Sequence, residues 1–231
     1  SNKSETKRFT LMNNLFFLAK DTKETTKTFW EVFVNTDELV GLSINVILLL
    51  VLGYVVYIFV TKYLDYNSIL KSYVHINKKI EEEYDSMMLS KYENSTNPFK
   101  KLISKYIDTT KQGSKKSTAE SQLKNQGDFE LARLGEKVGV LATCSGVAPM
   151  IGFLGTTIGM VEVFMALEAS KSLEISMISG GILTAMTTTV SGLVVGIVAY
   201  VGYNHLVMKL EKIAIEMENV SFNLMKNYDN K

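Results

Sequence analysis

Leu42–Val60, LSINVILLLVLGYVVYIFV, runs nineteen residues without Asp, Glu, Lys, Arg or His, and Asn45 is its one amide. A helix needs about 20 mostly apolar residues to cross a hydrocarbon core of about 30 Å, so this stretch reads as a membrane span. Asp37 and Glu38 precede it and Lys62 follows. Tyr54, Tyr57, Phe59, Tyr63 and Tyr66 crowd its far end, where amphipathic rings sit at headgroup level.

Two further spans lie downstream. Val138–Leu167 carries Glu162 as its only charge, and Ile175–Leu206 carries no Asp, Glu, Lys or Arg. Both exceed one bilayer, so each is expected to continue as helix into water. Unlike the first span they are rich in glycine: Gly139, Gly146, Gly152, Gly155 and Gly159 in one, Gly180, Gly181, Gly192, Gly196 and Gly202 in the other. In lipid, small residues mark faces where helix backbones approach closely. Gly155-xxx-Gly159, Thr188-xxx-Gly192 and Gly192-xxx-Gly196 fit that spacing, which makes spans two and three inner helices and span one a lipid-facing post.

Composition excludes several classes. The 231 residues hold 25 Lys and Arg against 24 Asp and Glu, too balanced for a nucleic-acid binder held by a basic field. One cysteine, Cys144, and two histidines, His75 and His205, leave neither a disulfide framework nor a Cys/His metal cage. No catalytic constellation is legible and no cofactor is expected. Lys111–Thr118, KQGSKKST, lacks the first glycine, the Gly-Lys pair and the preceding strand of a phosphate loop. Leu11–Ala19 is too short for a span and no A-x-A-like site follows it, so no signal peptide is read.

Lys62–Lys137 carries 14 of the 25 basic residues, whereas the connection after span two carries Lys171. The positive-inside rule puts that long loop and the C-terminal tail in the cytoplasm. Within the loop, Ile69, Leu70, Tyr73, Ile76, Ile80, Tyr84, Met87 and Met88 recur at helical spacing, Asn94–Pro98 breaks the helix, and Phe99, Leu102, Ile103 and Tyr106 open a second one. Phe129, Leu131, Leu134 and Val138 are expected to enter span two as one helix. Leu206, Leu210, Ile213, Met217, Val220 and Leu224 prolong span three, a stripe expected to be covered by a neighbouring subunit. The N-terminal Phe9, Met12, Phe16 and Trp30 suit an interfacial helix or a partner-binding face.

Hydroxyls and carboxylates inside a membrane are costly unless they face protein, water or an ion path. Thr184, Thr188 and Ser191 share a face of span three beside a stripe of Ala185, Thr189, Gly192, Gly196 and Ala199, and Gly152, Thr156, Gly159 and Val163 share one on span two. Each hydroxyl taken singly is explained by bonding to its own helix. The paired stripes point to a wet or partner-lined cavity. Glu162, near the outer boundary, reads equally as an interfacial carboxylate paired with Lys171 or as an acidic rim that attracts cations.

Ala148–Met160, APMIGFLGTTIGM, resembles the A-P-x-x-G-x-x-G-T-x-x-G-hydrophobic signature of the ExbB/TolQ/MotA family, and Gly181–Leu193, GILTAMTTTVSGL, resembles its third-span pattern. Three spans and a large cytoplasmic loop are similar to the ExbB and TolQ branch. The resemblance implies an all-α membrane protein of three long transmembrane helices with cytoplasmic extensions, assembling as a ring. It implies a homo-pentamer closed around an ExbD- or TolR-like dimer, which uses the proton motive force to drive a TonB- or TolA-like protein. It further implies a bacterial inner-membrane location with a periplasmic N-terminus. Thr156 and Thr189 match the family's two hydroxyls near the partner's proton-carrying aspartate. Thr184 stands where that branch usually has a glutamate, so the relay falls to Glu162 or to none. The implied layout is a periplasmic segment 1–41, spans 42–62, 138–167 and 175–206, a cytoplasmic loop 63–137, a periplasmic loop 168–174 and a cytoplasmic helix 207–231. Proton pathway residues are then Thr156, Thr189, Thr184, Thr188 and Glu162; Gly152, Gly155, Gly159, Gly192, Gly196 and Pro149 pack the helices. A TolQ-like role in envelope constriction, a self-sufficient ion channel and a passive scaffold are the competing readings.

Overall fold

The computed structural model describes residues 39–82, 97–170, 175–226 and 228. The expected N-terminal interfacial helix, Met87 and Met88, most of the Asn94–Pro98 break and Lys171 lie outside the described residues, as does the side chain of His75. Five helices account for nearly all the described residues: α1 Leu39–Glu82, α2 Pro98–Lys111, α3 Lys116–Gly135, α4 Val138–Ser170 and α5 Ile175–Lys226. Three stretches, within α1, in α3 to α4 and within α5, are long and apolar enough to cross a membrane. The chain is an all-α membrane protein.

Local chemistry sets the helix ends. Pro98 opens α2, its fixed φ suiting a first turn, and the Asn97 side chain accepts from the Phe99 N–H at 3.0 Å. Gly113, with φ +61°, turns the chain from α2 into α3. The expected run-through from Phe129 to Val138 does not form: α3 stops at Gly135 and Lys137 has φ 71°. The reason is competition for one acceptor. Lys62 Nζ and the Tyr66 hydroxyl, both on α1, donate to the Leu134 carbonyl at 2.9 and 2.7 Å, the oxygen that the next helical N–H would otherwise use.

The chain divides into two compact units. In one, containing residues 49–149 and 193–231, Tyr66, Phe99, Leu102, Ile103, Tyr106, Leu123, Leu141 and Leu206 form a closed core. Ile213, Met217, Val220 and Leu224 of α5 are buried in the same core. The stripe expected to await a neighbouring subunit is therefore covered by the chain's own helices. The α2–α3 hairpin supplies Phe99, Leu102, Ile103 and Leu123 to it, and fully burying each such side chain is worth about 1.5–3 kcal/mol.

A carboxylate sits in this apolar setting. Glu130 of α3 is fully buried; its Oε1 accepts from Lys101 Nζ at 3.0 Å and Gln126 Nε2 at 3.2 Å, and Arg133 approaches Oε2 to 2.6 Å as an ion pair outside hydrogen-bond geometry. Lys101 and Arg133 are about one-third exposed, so either cation can turn to water, whereas Glu130 cannot. Replacing Lys101→Ala and Arg133→Ala together strands a buried charge and is expected to cost about 3–5 kcal/mol, more than Glu130→Gln. Thermal unfolding in detergent checks the order; a Glu130→Gln loss equal to that of the double variant contradicts it.

Candidate functional site

The other unit holds the N-terminal part of α1 to Leu48, α4 from Met150 and α5 to Gly192. Here the glycines of α4 let α5 approach closely. A Cβ on Gly152 would lie 2.7 Å from the Thr188 carbonyl oxygen and 3.1 Å from the Cα atoms of Gly192 and Thr189. One on Gly155 would fall 2.5 Å from Thr188 Oγ1, and one on Gly159 3.0 Å from Ala185 Cβ. The small residues at 152, 155 and 159 thus make the contact that helices in lipid use for association. In the unit around Phe99 and Leu206, Gly196 does the same toward Pro149, whose Cγ stands 2.7 Å from the position of a Cβ.

Three threonines cross this seam. Thr188 donates to the Ala185 carbonyl at 2.7 Å and lies 3.2 Å from the Gly152 carbonyl. Thr189 reaches the same Gly152 oxygen at 3.2 Å, and Thr156 reaches it at 3.3 Å and the Ala185 carbonyl at 3.2 Å. Thr156 and Thr189 also hydrogen-bond each other. Each hydroxyl has one proton and two lone pairs, so three protons are shared among two carbonyls and two partner hydroxyls. Thr188 is fully buried, while Thr156 and Thr189 are partly exposed.

Of the five predicted pathway residues, the structure brings together Thr156 and Thr189 in this pair, and sets Thr184, Thr188 and Glu162 along a crevice with Gly41, Gly155, Gly159 and Ala185. That crevice is too tight to seat a water molecule. Thr184 faces span one: a Cβ on Gly41 would lie 2.7 Å from Thr184 Cγ2. Thr187 and Ser191 bond back to their own helix carbonyls at 2.6 and 2.8 Å, the ordinary arrangement for a hydroxyl in a span. Asn45 was readable in the sequence only as a lone amide; it is 1 % exposed and neither amide atom has a partner. His205 packs on Tyr63 and Phe59 at ring-centroid distances of 5.6 and 6.1 Å. Among the described residues no group of three His, Cys, Asp or Glu could hold a metal.

Two glycine-faced helices with hydroxyls bridging them make close helix contact and neutral polar chemistry the defining features of this membrane chain. A family model described as the MotA/TolQ/ExbB proton channel family matches residues 94–219, over half of the 231 residues, and the chain belongs to that family. It is 36% identical to the Tol-Pal system protein TolQ of Haemophilus influenzae over 90 residues, 39% of this chain and 40% of that protein. Identity to the putative biopolymer transport protein ExbB-like 2 of Helicobacter pylori is 39% over 83 residues, 36% of this chain and 55% of that one. Aquifex aeolicus ExbB is 28% identical over 105 residues, 46% of this chain and 70% of that one. The chain thus matches about half of the length of the first two relatives.

Gly152→Ala pushes a methyl into backbone that cannot yield, and is expected to cost about 1–3 kcal/mol. Gly180→Ala, with nothing within 4 Å, should leave the melting temperature in detergent unchanged or slightly raised. Equal melting temperatures for the two variants would contradict the seam.

Proposed function

We propose that this chain is the ExbB-type, stator-like subunit of a motor driven by the proton motive force. Five copies close around an ExbD- or TolR-like dimer in a bacterial inner membrane, N-terminus periplasmic and C-terminus cytoplasmic, and energise a TonB-like protein for outer-membrane transport. The observation that carries this reading is the partly exposed Thr156–Thr189 pair across the glycine seam, inside the region matched by the proton channel family.

The chemistry of that pair suits a bearing around a moving carboxyl group. A hydroxyl donates to a carboxylate and accepts from a carboxylic acid, so the pair serves both protonation states of a partner's acid without carrying charge itself. Moving one charge through 100 mV releases about 2.3 kcal/mol, comparable to a few hydrogen bonds at net strength. A strong ion trap on the wall would consume that energy; neutral oxygens do not.

A TolQ-like role in envelope constriction is the second reading, favoured by the 36% identity to Haemophilus TolQ. Which partner is retained on purification, TonB-like or TolA-like, separates the two. Thr189→Val should abolish proton-coupled transport by the assembled complex while the oligomer elutes unchanged from a sizing column, and Thr189→Ser should restore most of it. Transport unaffected by Thr189→Val would refute the role of the pair.

A further inference from the structure

Asn45 is the one buried amide in the first span, and both of its polar atoms lack partners. An unsatisfied amide in apolar surroundings costs about 2–7 kcal/mol depending on the reference state, and within a span such a group marks a functional site by default. Helix register locates it. In the unit around Phe99 and Leu206, α1 and α5 run in the same direction, with Phe59 beside Gly202 and Asn67 hydrogen-bonded to Lys209. Gly41 beside Thr184 keeps that offset in the unit of the glycine seam. Asn45 therefore stands level with Thr188, one turn or about 6 Å inward of the Gly41–Thr184 contact.

Gly41, Ile44, Asn45 and Leu48 form the buried face of α1 here, and Thr184 and Thr188 line the crevice with Glu162, the only carboxylate of span two. Polar groups thus descend in order: the Glu162 carboxylate, the Thr184 hydroxyl, then the Thr188 hydroxyl with the Asn45 amide at its level. This row lies inside one subunit and does not include the Thr156–Thr189 pair.

We propose that the crevice is a second polar site, admitting water and hydronium from the outer surface, with Glu162 as the collecting carboxylate and Asn45 as the amide at its floor. In the collecting step hydronium gives its proton to the Glu162 carboxylate, leaving a carboxylic acid and water. The Gly41–Thr184 contact is the gate, closed in this structure, where no water fits. Opening it hydrates Asn45, and that gain offsets the lost helix contact. The outward direction of the entrance rests on the N-out orientation proposed above; the site itself does not.

The test uses the whole chain, with whatever partners it retains, in sealed liposomes and with Cys144→Ser removing the native thiol. Asn45→Cys and Thr188→Cys report the floor and leave in place the Thr184 methyl that Gly41→Ala strikes, so failure of one variant to fold leaves the other. Membrane-impermeant methanethiosulfonates, one cationic and one anionic, are applied to each side in turn. Gly41→Ala should speed labelling from the N-terminal side at least about tenfold, an opening shift of about 1.4 kcal/mol. The cationic reagent should react about 5–10-fold faster than the anionic one, and Glu162→Gln should erase that preference. No labelling at either position with Gly41→Ala, or a preference untouched by Glu162→Gln, overturns the site. Labelling only from the C-terminal side overturns its outward entrance. None of these readouts depends on transport, so they stand apart from the Thr189→Val experiment.

Discussion

Everything in the membrane part of this protein depends on the backbone of α4 lying directly against that of α5 at Gly152. Lipid supplies no hydrophobic drive to push two helices together, so the approach must be secured by van der Waals contact and hydrogen bonds. Gly152 provides both, its missing side chain letting Thr188, Thr189 and Gly192 come close and its carbonyl accepting from threonines on both helices. A helix carbonyl already engaged in its own ladder has one lone pair to spare, and several hydroxyls compete for this one. Three threonine hydroxyls thus converge on a single acceptor within 3.2 to 3.3 Å.

The two units answer different physical demands. In the unit around Phe99 and Leu206, water drives burial, and the chain closes its own core with an α2–α3 hairpin and a buried Glu130 cluster. In the other, closeness comes from absent side chains. Large residues such as Phe153, Phe164, Leu183 and Met186 are exposed on α4 and α5 there, where lipid or another subunit accepts them at equal cost.

Much of this was legible in the sequence. The spans announced themselves by length and by absence of charge, and the glycine spacing identified the faces of α4 and α5 that meet. The residues that escaped did so for definable reasons. The helix break at Lys137 depends on Lys62 and Tyr66, some seventy residues away, and no local pattern announces a carbonyl stolen by a distant donor. The cover of the α5 stripe was assigned to a neighbour because periodicity shows that a face is apolar without saying what lies on it. Asn45 passed as a tolerated amide, since one polar residue among eighteen others barely alters hydropathy; only its unmet hydrogen bonds distinguish it. Thr156 and Thr189 stood out together through the family resemblance, and the shared Gly152 acceptor required coordinates.

The diversion of the Leu134 carbonyl has a mechanical corollary. A continuous rod from α3 through α4 would make the two helices one straight lever. With the rod cut at Glu136–Lys137 and the stub of α3 pinned to α1, α4 starts on an axis of its own, and Val138 and Leu141 in its first turns drop into the same core as Leu134.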